Sequence, residues 1–149
     1  MTNITVRALE RADKAAWLGL WLSYLSFYEQ ELAEEVTETL FERLLSAEGH
    51  RAQVAEQDGK LVGFVHYLFH DSTWSSEATC YLEDLFVSLD LRGGGAGRKL
   101  IEAVYAAADA EPTASGNVYW HTHDHNARAR LLYDRIGVLS EFVRYDRPK

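Results

Sequence analysis

The chain of 149 residues contains little cysteine and is short of positive charge. Its single cysteine, Cys80, excludes an intrachain disulfide and fits a reducing, cytoplasmic setting, and we expect it to be a small buried strand residue. The 15 Lys and Arg against 23 Asp and Glu give a formal net charge of −8. This balance argues against general nucleic-acid binding, because neutralising phosphates requires a basic surface.

Long hydrophobic runs are also missing. The most apolar stretch, residues 15–28, is well short of the roughly 20 residues that span a bilayer. Residues 1–6 lack the basic and apolar regions of a signal peptide. No repeat or linker interrupts the sequence, and 47% hydrophobic residues are enough for a core. We therefore expect a single domain over residues 1–149, without a membrane partner.

The hydrophobic periodicity predicts an α/β (α+β) fold in the order β-α-α-β-β-β-α-β-α-β, with a mixed, mostly antiparallel sheet flanked by helices. Asp58-Gly59 is a strong hairpin signal, and we expect Thr37 to be the N-cap of the second helix. The predicted strands cover residues 4–9, 53–56, 61–69, 80–87, 118–123 and 141–145, and the predicted helices cover residues 12–30, 37–45, 95–110 and 126–136.

Four glycines lie within the five positions 93–97, where a predicted strand meets a predicted helix. Backbone N–H groups at such a junction can converge on one anion, which the helix N-terminus also attracts. Arg92, Arg98 and Lys99 lie in or beside the first turn, where cations are disfavoured unless an anion neutralises them. A flexible turn with solvated charges is the alternative. The spacing fits neither a P-loop nor a dinucleotide fingerprint.

Three sequence patterns together resemble the GNAT superfamily of N-acetyltransferases. The loop has the form R-x-x-G-x-G, the strand Tyr81–Val87 reads YLEDLFV, and residues 126–137 read N-x-x-A-x-x-L-Y-x-x-x-G. The strand looks most like the polyamine and histone acetyltransferase branch. The resemblance implies acetyl-CoA as co-substrate, no metal, and a coenzyme site formed by Leu85, Phe86, Val87, Arg92, Gly93, Gly94, Gly95, Ala96, Gly97, Arg98, Asn126 and Tyr133.

Acetyl transfer by direct attack on the thioester requires a neutral amine, and an alkylamine is neutral in only about one molecule in 2,500 at pH 7. The resemblance implies that Glu83 removes the proton through a water molecule, although a structural ion pair is an alternative role. Strand alternation predicts Tyr81, Glu83, Leu85 and Val87 on one face of the sheet. A β-bulge would alter this alternation, so Asp84 is an alternative to Glu83 for removing the proton.

The remaining steps need a donor for the oxyanion and an acid for the leaving thiolate. A backbone N–H near residues 85–87 is the predicted oxyanion donor. The resemblance implies that Tyr133 is the acid, and a packed core tyrosine is the alternative. Asn126 lies two helical turns earlier, about 10 Å along the same helix face, where it can meet the coenzyme arm.

Six glutamates between residues 29 and 42 follow the aromatic first helix. They predict a cationic acceptor, either a polyamine- or amino-acid-like small molecule or a lysine side chain, but a solvated acidic face is the alternative. The predicted acceptor site contains Tyr28, Glu29, Glu83 and His121.

Three other possibilities follow from the sequence. A non-catalytic acyl-CoA-binding or sensing domain would share the scaffold. A metal-dependent hydrolase would use the alternate histidines of residues 121–125, although their register departs from the hydrolase pattern H-x-H-x-D-H. Exposed aromatic residues could seal a homodimer.

Overall fold

The computed structural model describes residues 3–91 and 94–149. Within these residues, one five-stranded sheet has the order β1-β2-β3-β4-β5, and four α-helices accompany it. The strands are β1 (Ile4–Ala8), β2 (Arg51–Gln57), β3 (Lys60–Ser72), β4 (Ser75–Val87) and β5 (Ala114–Tyr119), and the helices are α1 (Lys14–Phe27), α2 (Glu34–Ser46), α3 (Ala96–Ala110) and α4 (Ala127–Ile136). No helix in this described part of the chain is both long and apolar enough to cross a membrane.

The sheet is mixed and mostly antiparallel, as predicted. Strands β1 to β4 pair antiparallel in sequence order, and β5 pairs parallel to β4 after the crossover through α3. The β2–β3 hairpin turns at Asp58-Gly59, whose φ angles of 51° and 75° suit a two-residue turn with both central residues left-handed. The hairpin prediction is confirmed, and the predicted fold class is confirmed with it.

Two hydrophobic clusters cover the two faces of the sheet. Helix α1 buries Trp17, Trp21 and Leu25, which recur every four residues and therefore form one stripe, against one face. Helix α3 packs its own apolar stripe against the other face. Cys80 is fully buried within this second cluster, so the prediction of a buried strand cysteine is confirmed.

Three predicted details are wrong. Residues 141–145 form no strand, because none of the described strands pairs with them, and they are exposed. Strand β5 begins and ends four residues earlier than predicted, since its pairing with β4 ends at Tyr119. Thr37 is not an N-cap: α2 already begins at Glu34, and the buried Thr37 hydroxyl accepts a hydrogen bond from Trp21 Nε1 at 3.3 Å.

Candidate active site

A β-bulge in β4 sets the geometry of the site. His66 pairs with Asp84 and Tyr67 pairs with Leu82, so Glu83 is the extra residue of β4. The extra residue reverses the alternation of side chains. Leu82 packs on the α3 side of the sheet, whereas Phe86 packs on the α1 side.

The predicted alternation along this strand is therefore wrong. Leu85 and Val87 pack against the α3-side cluster together with Leu82, which strict parity had placed on the other face. The bulge that sequence reasoning allowed for is present, and it turns Asp84 toward α1.

Beyond the bulge, β4 and β5 separate. Their pairing ends at Tyr81 and Tyr119, so residues 82–87 of β4 have no β5 partner among the described residues. The chain reaches α4 only at Ala127, and a cavity of about 430 Å³ occupies the gap between β4 and α4. A strand edge that faces such a gap leaves backbone N–H and C=O groups available to a ligand.

Most of the predicted coenzyme residues line this first cavity. Tyr24 and Phe27 of α1, and Tyr28 directly after this helix, add aromatic side chains to one wall. The predicted residues that line the cavity are Leu85, Phe86, Val87, Gly95, Ala96, Gly97, Arg98, Asn126 and Tyr133.

The glycine loop brings the N-terminus of α3 to the first cavity. Gly95 takes φ +88° directly before the helix, a conformation that favours glycine. Gly94 donates its N–H to the Leu91 carbonyl at 3.1 Å and does not line the cavity. The predicted coenzyme residues Arg92 and Gly93 lie outside the described residues.

Arg98 and Lys99, the two cations of the first turn of α3, contact different parts of the structure. Arg98 lines the first cavity and forms a 3.6 Å ion pair with Glu102 one turn further along α3. Lys99 instead donates to the Ile4 carbonyl of β1 at 3.0 Å. The grouping of Lys99 with an anion site is therefore wrong, because this side chain fastens α3 to the sheet edge.

Helix α4 contributes two further arginines, which sequence reasoning missed. Arg128 and Arg135 line the first cavity and are seven residues apart, so they share one helix face. The same spacing relates Asn126 to Tyr133. A helical projection of α4 could have identified both arginines.

Tyr133 is half-buried on α4 and contacts Trp120 with a centroid separation of 5.5 Å. Burial, with a smaller contribution from Tyr28, raises the pKa of Tyr133 to about 12. Its hydroxyl is therefore protonated at neutral pH. Asn126 precedes α4, and its side-chain amide donates to Thr122 Oγ1 at 3.2 Å.

A second cavity of about 470 Å³ lies between α2 and β4. Three carboxylates face it, and Glu83 on the bulge accepts a 2.8 Å hydrogen bond from His50 Nε2. The residues that line it are Trp21, Glu35, Val36, Thr39, Leu40, Arg43, His50, Glu83 and Asp84.

The predicted acceptor residues are distributed over several places. Glu83 lines the second cavity and Tyr28 lines the first. Glu29 is exposed beyond the end of α1 and lines neither cavity. His121 also lines neither, and its Nδ1 is 3.3 Å from the Tyr81 hydroxyl.

The acidic run of residues 29–42 is only partly a cavity wall. Glu38 pairs with Lys14 at 2.6 Å and Glu42 pairs with Arg11 at 2.9 Å, and these contacts tie α2 to the start of α1. Glu35 lines the second cavity.

The histidines at positions 121, 123 and 125 do not converge on one point. The rings of His123 and His125 stack with centroids 5.2 Å apart, and His121 lies against Tyr81. Among residues 3–91 and 94–149, no group of three or more His, Cys, Asp or Glu side chains could hold a metal ion.

Solved structures identify the class of fold. The chain superposes on the aminoglycoside N-acetyltransferase AAC(6')-Iy in complex with CoA with a TM-score of 0.85 at 20% identity, covering 100% of this chain and 97% of that one. A ribosomal-protein-alanine N-acetyltransferase from Brucella melitensis gives 0.76 at 23% identity, covering 99% and 100%. The fold is that of N-acetyltransferases.

Sequence comparison identifies the family. A model of the acetyltransferase (GNAT) family matches residues 15–138. A D-amino-acid N-acetyltransferase, HPA3, from Saccharomyces cerevisiae is 39% identical over 149 residues, covering 97% of this chain and 91% of the relative. A thialysine N-epsilon-acetyltransferase from Bos taurus is 35% identical over 106 residues, covering 71% and 61%. The chain belongs to the GNAT family and is an N-acetyltransferase.

Proposed function

We propose that this enzyme transfers the acetyl group of acetyl-CoA to the primary amine of a small cationic molecule, polyamine- or amino-acid-like, or of a lysine side chain, by direct attack on the thioester. The observation that carries the proposal is the presence of two cavities with opposite electrostatic character. The first is bordered by a helix N-terminus and three arginines, and the second by three carboxylates and a single arginine, Arg43. Tyr24 lines the first, Asp84 lines the second, and a 2.9 Å hydrogen bond joins them.

In this proposal, the first cavity holds coenzyme A. The pyrophosphate lies at the N-terminus of α3, where Arg98 adds its charge and residues 95–97 supply backbone N–H groups. The unpaired edge of β4 at Leu85–Val87 pairs with the amides of the pantetheine arm, and one N–H of that edge stabilises the oxyanion. The separation of β4 from β5 supports this placement of the pantetheine arm, because it leaves the β4 edge there without a strand partner among the described residues.

Removal of the amine proton and stabilisation of the leaving thiolate are assigned to two residues. Glu83 accepts the amine proton through a water molecule, and its hydrogen bond with His50 supports this role because it keeps the carboxylate at the cavity wall. The Tyr133 hydroxyl donates a hydrogen bond to the leaving thiolate and stabilises its negative charge. Two observations support this role of Tyr133. Its raised pKa keeps the hydroxyl protonated, and its side chain lines the first cavity together with Asn126.

The second cavity favours an amino-acid-like acceptor over a polyamine in one respect. Arg43 lines it, and no ion pair between this guanidinium and a carboxylate is found within the described residues. An acceptor that carries a carboxylate would satisfy Arg43 while its amine meets the acids. The named activities of two relatives, on D-amino acids and on thialysine, agree with such a substrate.

We also propose that the enzyme forms a homodimer through its C-terminal segment. Val138, Phe142, Val143 and Tyr145 are each at least 79% exposed, although they are large apolar side chains. Sedimentation velocity should give the mass of two chains, and the double variant Phe142→Ser/Tyr145→Ser should sediment as a single chain.

The experiment that tests the proposed reaction measures thiol release from acetyl-CoA with polyamines, D- and L-amino acids, aminoglycosides and lysine peptides. We expect amine-dependent release and a matching acetylated product by mass spectrometry. Arg98→Ala should raise the KM for acetyl-CoA about 10-fold or more, because a charge-assisted contact is lost. Lys60→Ala, which removes an exposed cation at the start of β3 that lines neither cavity, is the matched control. Tight binding of coenzyme A without acetyl transfer to any amine would contradict the proposal.

A further inference from the structure

Four polar side chains form a continuous hydrogen-bonded chain beneath the second cavity. Trp17 Nε1 donates to His66 Nε2 at 3.1 Å, and His66 Nδ1 lies 3.0 Å from Asp84 Oδ2. The Tyr24 hydroxyl donates to the other carboxylate oxygen, Asp84 Oδ1, at 2.9 Å. His66 is fully buried, while the Asp84 side chain retains 18% exposure. The chain therefore begins in the core and ends at the cavity.

The donors and acceptors of this chain admit one arrangement of protons. The indole N–H of Trp17 can only donate, so His66 Nε2 must accept. The single proton of a neutral imidazole is then on Nδ1, which donates to Asp84. Burial, together with the charge of Asp84, raises the pKa of Tyr24, so that its hydroxyl keeps its proton and also donates. Each carboxylate oxygen of Asp84 thus accepts a hydrogen bond from a side-chain donor.

Asp84 and Glu83 are neighbours on the bulge, but their surroundings differ. The Glu83 side chain is 42% exposed and accepts from the half-buried His50. Asp84 is fixed through both of its oxygens by side chains from α1 and β3. A carboxylate can accept about four hydrogen bonds, so Asp84 retains acceptor capacity toward the cavity that it lines.

A purely structural role explains this arrangement poorly. Burying a carboxylate and an imidazole is costly, and apolar side chains would fill the same space at least as favourably. The core around His66 is already aromatic, with the Phe64 ring centroid at 4.5 Å and the Trp21 centroid at 5.4 Å. A fixed, partly exposed carboxylate at a cavity wall is instead what the recognition of a cation requires.

We propose that Asp84 binds the ammonium group of the acceptor and that His66 is a positioning residue. Trp17 holds the His66 ring in place, and His66 Nδ1 in turn holds the Asp84 carboxylate. This assignment rests on the proposed function and deepens it, because it separates the tasks of the two carboxylates. Asp84 holds the amine by charge-assisted hydrogen bonds, and Glu83 accepts the proton that the amine must lose before it attacks.

The test compares steady-state kinetics of Asp84→Asn and Glu83→Gln with a cationic acceptor identified from the thiol-release panel. Asp84→Asn should raise the KM for the amine about 10- to 100-fold, leave the KM for acetyl-CoA unchanged, and largely retain kcat at saturating amine. Glu83→Gln should lower kcat instead. A wild-type amine KM in folded Asp84→Asn, or a loss confined to kcat, would overturn the assignment.

The positioning role of His66 needs its own comparison. His66→Leu removes the donor to Asp84, whereas His66→Gln keeps an N–H that can reach it. We expect a raised amine KM in the first variant and partial recovery in the second, with the affinity for coenzyme A, measured by calorimetry, equal in both. Equal amine KM values in the two variants would contradict the role. Tyr24→Phe tests the same carboxylate from its other side, should the His66 variants not fold.

These outcomes are distinguishable from failure of the proposed function. If the wild-type enzyme releases no thiol with any amine, the proposed reaction fails irrespective of the variants. If the wild type is active and Asp84→Asn binds amine normally, only the assignment of Asp84 fails.

Discussion

Replacing Tyr133 by phenylalanine tests the proposed acid with the smallest change of shape. The hydroxyl of Tyr133 has a pKa raised to about 12, so about one molecule in ten thousand is ionised at pH 8. Free thiols have a pKa near 8.5, so full transfer of the tyrosine proton to the leaving thiolate is uphill. The hydroxyl therefore contributes chiefly as a hydrogen-bond donor to the developing negative charge.

A hydrogen bond to a charged group contributes about 1.5–3 kcal/mol, which corresponds to a fall in kcat of roughly 10- to 150-fold for Tyr133→Phe. The assay is thiol release at saturating acetyl-CoA and amine. The pH profile of the wild type should show no loss of activity from Tyr133 ionisation below about pH 11, because the raised pKa keeps its proton in place. A wild-type kcat in the variant would refute the reasoning, as would a rise in KM alone.

Tyr105→Phe is the matched control, since it removes the same atom from another helix. The Tyr105 hydroxyl donates to the Ile136 carbonyl at 2.7 Å and lines neither cavity. We expect this variant to lose about 1 kcal/mol of unfolding free energy while kcat is unchanged. Tyr133→Phe should show the reverse, a lower kcat with little change in stability.

The remaining predictions concern stability and specificity. Gly63→Ala should lower the unfolding free energy in urea by about 1–3 kcal/mol, because the new Cβ would lie 2.8 Å from the Phe86 carbonyl oxygen, whereas Gly19→Ala, in open space on α1, should raise it by up to about 1 kcal/mol. The Arg7 guanidinium donates hydrogen bonds to Asp13 and lowers the pKa of this carboxyl. The unfolding free energy in urea should therefore favour the wild type over Asp13→Asn fully above about pH 5, and this advantage should shrink as the pH falls below about 4. An advantage independent of pH would contradict this. Arg43→Ala should lower kcat/KM for α-amino acids about 10-fold and leave their decarboxylated amines unaffected; an equal loss for both would remove Arg43 from carboxylate recognition.

Local sequence patterns were sufficient for most of the fold. The four-residue recurrence of Trp17, Trp21 and Leu25 predicts a helix whatever surrounds it, and Asp58-Gly59 predicts a turn because few residue pairs accept two left-handed conformations. The glycines before α3 likewise predict a turn that exposes a helix N-terminus. Each of these signals is contained within a few residues.

The parts that sequence reasoning missed depend on distant residues. Strand periodicity cannot reveal that Glu83 is bulged, because the register is set by pairing with β3. The contact of Trp17 with His66 joins positions 49 residues apart, and nothing local to either indicates it. The position of Lys99 in the sequence suggests an anion-binding cation, because the hydrogen bond that it donates to the Ile4 carbonyl depends on a residue 95 positions away.

We propose that the coenzyme and the amine occupy separate cavities joined at Tyr24 and Asp84. Hydrogen–deuterium exchange of the enzyme with coenzyme A alone, and then with a cationic acceptor alone, tests it most directly. Coenzyme A should slow exchange in residues 85–87, 95–98 and 126–133, and the acceptor should slow it in residues 35–43 and 83–84. Protection of residues 35–43 by coenzyme A, without protection of residues 95–98, would contradict the account.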